Sequence, residues 1–368
     1  MKQNSIRKAA AAALAAVLIA GGGVTVKLYR DRKATEAADA AQRARWEQQE
    51  AEGRREVDYA YFSTNEFSEQ NAFDRQQPFR RNELIYDGRR YIRHTGVRAI
   101  LLLGLDRSAG DLKEERLPWD QGQTDAIFLL AHNTARNTVQ ILKIPRDTMA
   151  AMVYQETEDP GSRRNIVAQI TLAYTSGDGV EKSCEAACEA VSRLLGGIEI
   201  DHYMLGDLNV ITDVNDLVGG VTVRVPKDST KWKDPEFQPG SSITLHGKQA
   251  ERFVRSRNTD KDFSALERME RQQIYIIAFE RQLKRLLKKD TDIVERMFDT
   301  IEGDMLTDMR RSEYVDLTLS ILNAGDLGDE NFLTLPGEPA RGEEYDEYHP
   351  HYADTDRMIL DLFYYEGK

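Results

Sequence analysis

Three runs of apolar, β-prone residues frame this chain: Val97 to Leu105, Ala126 to Ala131 and Thr138 to Ile144. The first is nearly continuous, which predicts a strand buried on both faces. Upstream, Leu84-Ile85-Tyr86 and Tyr91-Ile92 flank Asp87-Gly88, the pattern of a hairpin with an Asp-Gly turn. Helical spacing marks Val180 to Leu195, and Ala265 to Lys289 predicts a long helix rich in Arg and Lys. Met305 to Ile321 reads as another helix, and Met358 to Phe363 as a short final one. Gly219-Gly220 leads into a strand, Val221 to Val225, closed by Pro226. Gly247 to Arg257 reads as a helix start running into an extended segment. Strands alternating with helices predict an α/β layered domain.

Ahead of this domain, Ala9 to Val26 carry no charge and are almost all apolar. At about 1.5 Å rise per residue the run is roughly 27 Å long, about one hydrocarbon core. An uncleaved anchor suits this length; a cleaved signal peptide is the alternative, given the small residues from Ala20 to Gly23. Lys27 to Glu56, rich in Ala, Glu, Gln and Arg, reads as a helical or partly disordered stalk. The aromatics Tyr59, Tyr61, Phe62, Phe67, Phe73 and Phe79 that follow are expected to pack onto the domain.

Composition narrows the function classes. A net charge of −12 over 368 residues argues against general nucleic-acid binding, so grouped arginines point to a local anion site. Two cysteines cannot build a disulfide framework. Cys184 and Cys188 share one helical face and read as small buried residues, with a local disulfide or redox role as the other reading. Glu347, His349 and His351 form only a weak metal pattern.

The candidate chemistry stands at element ends. Asp106 closes Leu103-Gly104-Leu105-Asp106-Arg107, and Asp125 sits in Thr124-Asp125 at the start of the next run. Two carboxylates converging from adjacent strand ends suffice for a hard cation that keeps water and phosphate oxygens as its other ligands. Turn formation or capping is the competing use of each. Arg146 lies in Ile144-Pro145-Arg146-Asp147-Thr148, with Asp147 as an available partner. Arg255 and Arg257, in Phe253-Val254-Arg255-Ser256-Arg257, would project from one face if extended. Arg268, Arg271 and Gln272 stand at i, i+3 and i+4, which a helix places on one stripe. Guanidinium suits paired phosphate oxygens because its fork donates two parallel hydrogen bonds. There is no Gly-x-Ser-x-Gly elbow, His-Glu-x-x-His or Walker loop, as phosphoryl transfer by positioning and charge neutralisation allows.

In their order and positions, these segments resemble the LytR-CpsA-Psr family of Gram-positive cell-envelope glycopolymer transferases, over Arg93 to the C-terminus and most strongly from Val97 to Arg281. The resemblance implies a three-layer α/β/α sandwich with a central mixed sheet, preceded by one N-terminal transmembrane helix. It implies residues 1–8 as a cytoplasmic N-terminus, 9–26 as the anchor, 27–92 as an extracytoplasmic stalk and accessory segment, and 93–368 as the catalytic domain outside the cell membrane. Lys27, Arg30, Arg32 and Lys33 follow the apolar run, so the positive-inside count does not itself favour that topology.

By resemblance the activity is Mg2+-dependent. A phosphorylated glycopolymer of teichoic acid or capsular polysaccharide type moves from an undecaprenyl diphosphate carrier to peptidoglycan, forming a phosphodiester. Asp106 and Asp125 would hold Mg2+. Arg107, Arg146, Arg255, Arg257, Arg268, Arg271 and Gln272 would surround the diphosphate, with Arg146, Arg257 and Arg268 stabilising charge during transfer. An apolar channel for the lipid is expected beside them. Three departures from the family pattern stand out. Ala265-Leu266-Glu267 separates Asp262-Phe263-Ser264 from Arg268, where the family commonly reads Asp-Phe-Gly-Arg, lengthening a loop; Gln169-Ile170-Thr171 replaces a Lys-x-Asn; and an insertion runs from Gly110 to Gln121. Two other readings stay open: a polyprenyl diphosphate phosphohydrolase using the same pocket, and a non-catalytic lipid-binding or regulatory protein of the envelope.

Overall fold

The Asp-Gly hairpin forms as its sequence predicts. After a short helix α1 (Glu69–Phe73), β1 (Glu83–Tyr86) pairs antiparallel with β2 (Arg89–Arg93), and Asp87 and Gly88 take positive φ of 53° and 69°, as a type I′ turn needs. The structure, a computed structural model, describes residues 64–106, 122–154, 163–177, 179–227, 234–258 and 261–367. The apolar run Ala9 to Val26, the stalk, Arg107 and the Gly110 to Gln121 insertion lie outside these residues. Among the described residues no helix is long and apolar enough to cross a membrane.

The apolar runs become β3 (Val97–Leu105), β4 (Thr124–Asn133) and β5 (Thr138–Lys143). A hairpin of β6 (Met149–Tyr154) and β7 (Arg164–Gln169) follows, then α2 (Val180–Leu194), β8 (His202–Gly206) and α3 (Leu208–Leu217). β9 (Val221–Arg224) pairs with β10 (Ser242–Leu245) ahead of α4 (Lys248–Arg255), the long α5 (Ser264–Leu287) and α6 (Ile293–Ile301). The chain closes with β11 (Met305–Thr307), α7 (Arg311–Asn323), β12 (Phe332–Thr334), the hairpin β13 (Gly337–Arg341) and β14 (Asp346–Pro350), α8 (Tyr352–Phe363) and β15 (Tyr364–Glu366).

The central sheet has the order β11-β8-β3-β4-β5-β12. It is mixed: β3 runs parallel to β8 and β5 to β12, and the other pairs are antiparallel. Side chains alternate across it. Leu101, Leu103, Leu129 and Leu142 join α2 and α8 in one core, while Ile100, Phe128, Leu130 and Ile141 join α5 and α7 in another. Helices therefore cover both faces, and β3 and β4 are buried on both, which is why β3 lacks a polar stripe. Burying each such Leu or Ile contributes about 1.5–3 kcal/mol, and the ends of these strands inherit that rigidity.

Three element expectations need correction. Met305 to Ile321 is not one helix: Met305–Thr307 adds an edge strand to β8, and the helix starts at Arg311. Tertiary pairing overrides helical spacing there, and Glu313 closes the new first turn by accepting the Arg310 N–H at 2.9 Å. The final helix begins at Tyr352, not Met358. The residues Ala265 to Glu267 do not lengthen a loop; they lie in the first turn of α5.

Residues 64–93 pack onto the domain. Phe79 is fully buried, Phe67 and Phe73 lie against the main core, and β15 pairs with β2. Arg75 forms a buried ion pair with Asp356 while its guanidinium lies 4.8 Å from the centre of the Tyr352 ring. Cys184 and Cys188 are free thiols on α2, and burial pushes the Cys188 thiol up to about 12, so both behave as small packing residues.

Candidate active site

The site is built on an irregularity between β3 and β4. Gly104 pairs with Ala126 but Leu105 pairs with Thr124, so Asp125 is the extra residue of a β-bulge. Such a bulge re-aims a side chain out of the regular alternation. Gly104 is needed beside it: a Cβ there would meet Ala126 Cβ at 3.0 Å. One residue beyond β3, the Asp106 N–H donates to Gln123 O at 3.0 Å, fixing the backbone that carries the second carboxylate. Both aspartates line one cavity, although they leave different strands.

Arginines from three elements meet these carboxylates. Arg146 stands on the turn after β5, where Pro145 O accepts both the Thr148 N–H (3.0 Å) and its hydroxyl (2.6 Å). Its guanidinium pairs with Asp125, donates to Gln123 Oε1 at 2.7 Å and lies 3.3 Å from Asp147 Oδ1. From the first turns of α5, Arg268 reaches Asp125 twice, at 2.6 Å to the carboxylate and 3.1 Å to the carbonyl oxygen. Arg255, the last residue of α4, donates to Asp106 Oδ1 at 2.7 Å. Arg257 is exposed and has no hydrogen bond or ion pair among the described residues.

Burial sets the electrostatics. It pulls the guanidiniums of Arg146 and Arg268 down to about 10, leaving both charged at neutral pH. Burial raises the carboxyl of Asp147, against the pull of Arg146, Arg257 and Arg268. Asp125 is thus shared by two buried cations, with Asp147 beside Arg146 as a further carboxylate, whereas Arg257 adds positive charge that no ion pair among the described residues takes up. That surplus faces a polar cavity of about 290 Å³ lined by Asp106, Glu251, Arg252, Arg255, Arg257 and Arg268.

A second cavity, of about 310 Å³, adjoins it through Asp106, Arg255 and Arg268. Its walls are largely apolar, among them Leu102, Phe128, Met204, Ile211, Ile276 and Met305. It runs between β3, β4, β8, α3, α5 and the start of β11. A space of this kind accepts an alkyl or isoprenoid chain while the charged rim takes an anionic head.

Most of the expected residues converge here, with exceptions. Arg255 ends a helix, so it does not share an extended face with Arg257; the Ser256 turn separates them. Arg271 is 2% exposed, lines neither cavity and donates Nε to Phe253 O at 3.1 Å. Gln272 lines the apolar cavity and lies 3.4 Å from Val254 O. Helical stripe spacing puts Arg271 and Gln272 near α4, where they brace the Arg255 segment; Arg268 points to the sheet. Arg107 lies outside the described residues. Sequence reading missed Glu251, 8% exposed and paired with Lys248 and, at 3.5 Å, with Arg255. Its i, i+4 spacing from Arg255 was the available signal. Gln123 was also missed; it stands in a loop with no pattern to mark it. Among the described residues no group of three or more His, Cys, Asp and Glu could hold a metal, and Glu347 instead accepts from His349 at 2.7 Å.

The site thus sets an apolar cavity beside a rim of carboxylates and guanidiniums within a mixed α/β sandwich. The chain belongs to the LytR_cpsA_psr family, whose model matches residues 57–358. It is 26% identical over 220 residues to the polyisoprenyl-teichoic acid–peptidoglycan teichoic acid transferase TagU of Bacillus cereus, covering 60% of each protein. It is 30% identical over 147 residues to the corresponding TagV of Bacillus subtilis, 38% of this chain and 34% of that one. The matches therefore span less than two thirds of these relatives. Among solved structures, Bacillus subtilis TagT superposes with a TM-score of 0.53 at 20% identity, covering 78% of this chain and 95% of that one. The Streptococcus agalactiae protein gbs0355 gives 0.56 at 21% identity, with 73% and 88% covered. At these identities the likeness is one of fold.

Proposed function

We propose that this chain transfers a phosphorylated glycopolymer from a polyprenyl diphosphate carrier to a peptidoglycan hydroxyl. The observation that carries the reading is the apolar cavity opening onto the Asp106, Arg255 and Arg268 rim, which suits an isoprenoid tail and its diphosphate head. The names of TagU and TagV as polyisoprenyl-teichoic acid–peptidoglycan teichoic acid transferases support it. In the step, the acceptor oxygen bonds to the phosphorus next to the sugar and the bridge to the polyprenyl phosphate breaks. The hydroxyl proton passes to solvent, and polyprenyl monophosphate leaves with the bridging oxygen.

Arg257, unpaired among the described residues, is free to take up phosphate oxygens directly. Arg146 and Arg268 hold positive charge behind them, and being buried and pre-oriented they need little rearrangement as charge builds on the transferring group. The donor set fits Mg2+: two carboxylates on one cavity beside phosphate oxygens are what a hard cation takes. Asp106 and Asp125 would hold it, and when bound it would neutralise diphosphate oxygens. Asp125 would hold it in place of part of its pairing with Arg146 and Arg268. Incubating the full chain with lipid-linked polymer, with and without peptidoglycan and with Mg2+ or chelator, should give polymer–peptidoglycan product only with both present. Release of free phosphoglycan regardless of acceptor would establish hydrolysis instead, and binding without turnover a non-catalytic role.

The uncharged run Ala9 to Val26 supports a single-pass anchor, and the family resemblance, against the flanking charges, supports placing the domain outside the cell membrane. The protein should then stay with membranes after a high-salt wash, and protease added to wall-stripped cells should digest the domain. Protection of the domain would reverse the topology, as the Lys27 to Lys33 cluster would then dictate.

A further inference from the structure

The acidic hairpin near the C-terminus plays no part in the site as described, yet it touches two of its arginine-bearing elements. Phe263, the residue before α5, holds a left-handed φ of 58°, which is costly for a bulky side chain. No side chain of its own segment caps this helix start. The Phe263 N–H instead donates to Asp346 Oδ2 at 2.7 Å, from β14. A capping-box Glu at the third helical position makes this bond in other helices; Leu266 stands there here. Arg341 holds the carboxylate from its other side, donating to Asp346 Oδ1 at 2.9 Å and to Asp262 Oδ1 at 2.6 Å.

The same residue reaches the other arginine. Asp346 O accepts from Gln169 Nε2 at 2.7 Å, and that amide also lies 3.3 Å from Asp147 Oδ1, beside the Arg146 guanidinium. The Tyr348 N–H donates to Asp147 O at 2.9 Å, so β14 is pinned to the turn that presents Arg146. Gln169 is where the family pattern differs, and Ala265 to Glu267 are the extra residues between Ser264 and Arg268. Both departures meet at Asp346. Its side chain is 23% exposed, so core packing does not explain its contacts.

We propose that Asp346 is a positioning residue: it fixes the N-terminal turn of α5 and the Pro145–Thr148 turn relative to each other, so that Arg268 and Arg146 converge on Asp125. The proposal rests on the transfer reading above. The Arg268 guanidinium is little more than one turn from Phe263, so a change of φ there swings it away from Asp125. A misplacement of about 1 Å costs up to roughly a hundredfold in rate.

The test uses the full chain and three variants: Asp346→Ala, Asp346→Asn and the double variant Asp346→Ala/Phe263→Gly. Asp346→Ala should lower kcat about tenfold or more, with KM for the lipid substrate within about twofold and the melting temperature little changed. Asp346→Asn keeps a carbonyl acceptor and should lose less. Glycine adopts positive φ without cost, so the double variant should recover much of the lost kcat. Wild-type kcat in Asp346→Ala, or a loss that tracks global unfolding and is not rescued by Phe263→Gly, would overturn the proposal. Amide hydrogen exchange without substrate separates this from the transfer reading. Faster exchange confined to residues 263–268 in Asp346→Ala supports positioning even if the wild-type chain shows no transfer, and unchanged exchange there rejects it.

Discussion

Asp125→Asn should abolish Mg2+-dependent transfer and also destabilise the folded protein by about 3 kcal/mol or more. Asp106→Asn should abolish transfer and leave stability within about 1 kcal/mol. The sequence presents the two aspartates as equivalent ligands; the structure does not. The Asp125 side chain is 10% exposed and is the counter-ion of Arg146 and Arg268, themselves 11% and 4% exposed. Removing its charge leaves Arg268 without its paired carboxylate and Arg146 with Asp147 at 3.3 Å as its remaining one, both guanidiniums already pulled down by burial to about 10. Breaking a buried pair from one side is expensive because the remaining ion has lost its water and gains no partner. Asp106 pairs with an Arg255 that is 47% exposed, and water can replace that contact. Denaturant unfolding of both variants beside a Mg2+ titration of turnover separates the effects. Equal stability losses would mean that Asp125 does not carry the buried charge balance, and full activity in either variant would return that residue to a turn-forming role.

Much of the scaffold was legible because it follows local rules. Asp87-Gly88 specifies its hairpin through backbone torsions, and β3 shows its burial in an unbroken apolar run. What stayed hidden depends on contacts between distant segments. Met305–Thr307 carries helical spacing but is claimed by the edge of β8, and nothing local announces that pairing. The bulge at Asp125 arises from a register shift between two strands, which a single strand's sequence cannot express. Arg268 and Arg271 have the same residue type on neighbouring helical positions, yet one turns to the sheet and the other to the Phe253 carbonyl. Spacing placed both near a site and could not say which would reach it. Asp346 was hidden for the same reason: its partner Phe263 is 83 residues away.

Arg257 and Arg268 should both lose binding when replaced by lysine, but only Arg268 should lose stability with it. Arg257→Lys and Arg257→Ala should leave thermal unfolding unchanged, since the side chain is exposed and supports nothing in the fold. Both should weaken binding of a polyprenyl diphosphate. Losing a charged hydrogen bond costs about 1.5–3 kcal/mol, a fall of roughly ten- to a hundredfold in affinity or turnover. Lysine keeps the charge but is a point donor on a flexible stem and cannot restore a two-point grip on phosphate oxygens. Arg268→Lys should fail in both assays. Arg268 spans the Asp125 carboxylate and carbonyl oxygen with separate nitrogens, at 2.6 and 3.1 Å, and lysine can serve only one well. Its place is 4% exposed, so the unserved acceptor is poorly compensated by water and stability falls as well. Added salt should weaken wild-type binding through the exposed Arg257 more than through the buried Arg268, whose pairing is shielded from the ionic atmosphere. The decisive measurements are lipid-diphosphate affinity at two ionic strengths and unfolding midpoints for all three variants. Wild-type affinity in both Arg257 variants would remove that arginine from the site and leave the surplus positive charge of the polar cavity without a ligand to neutralise it.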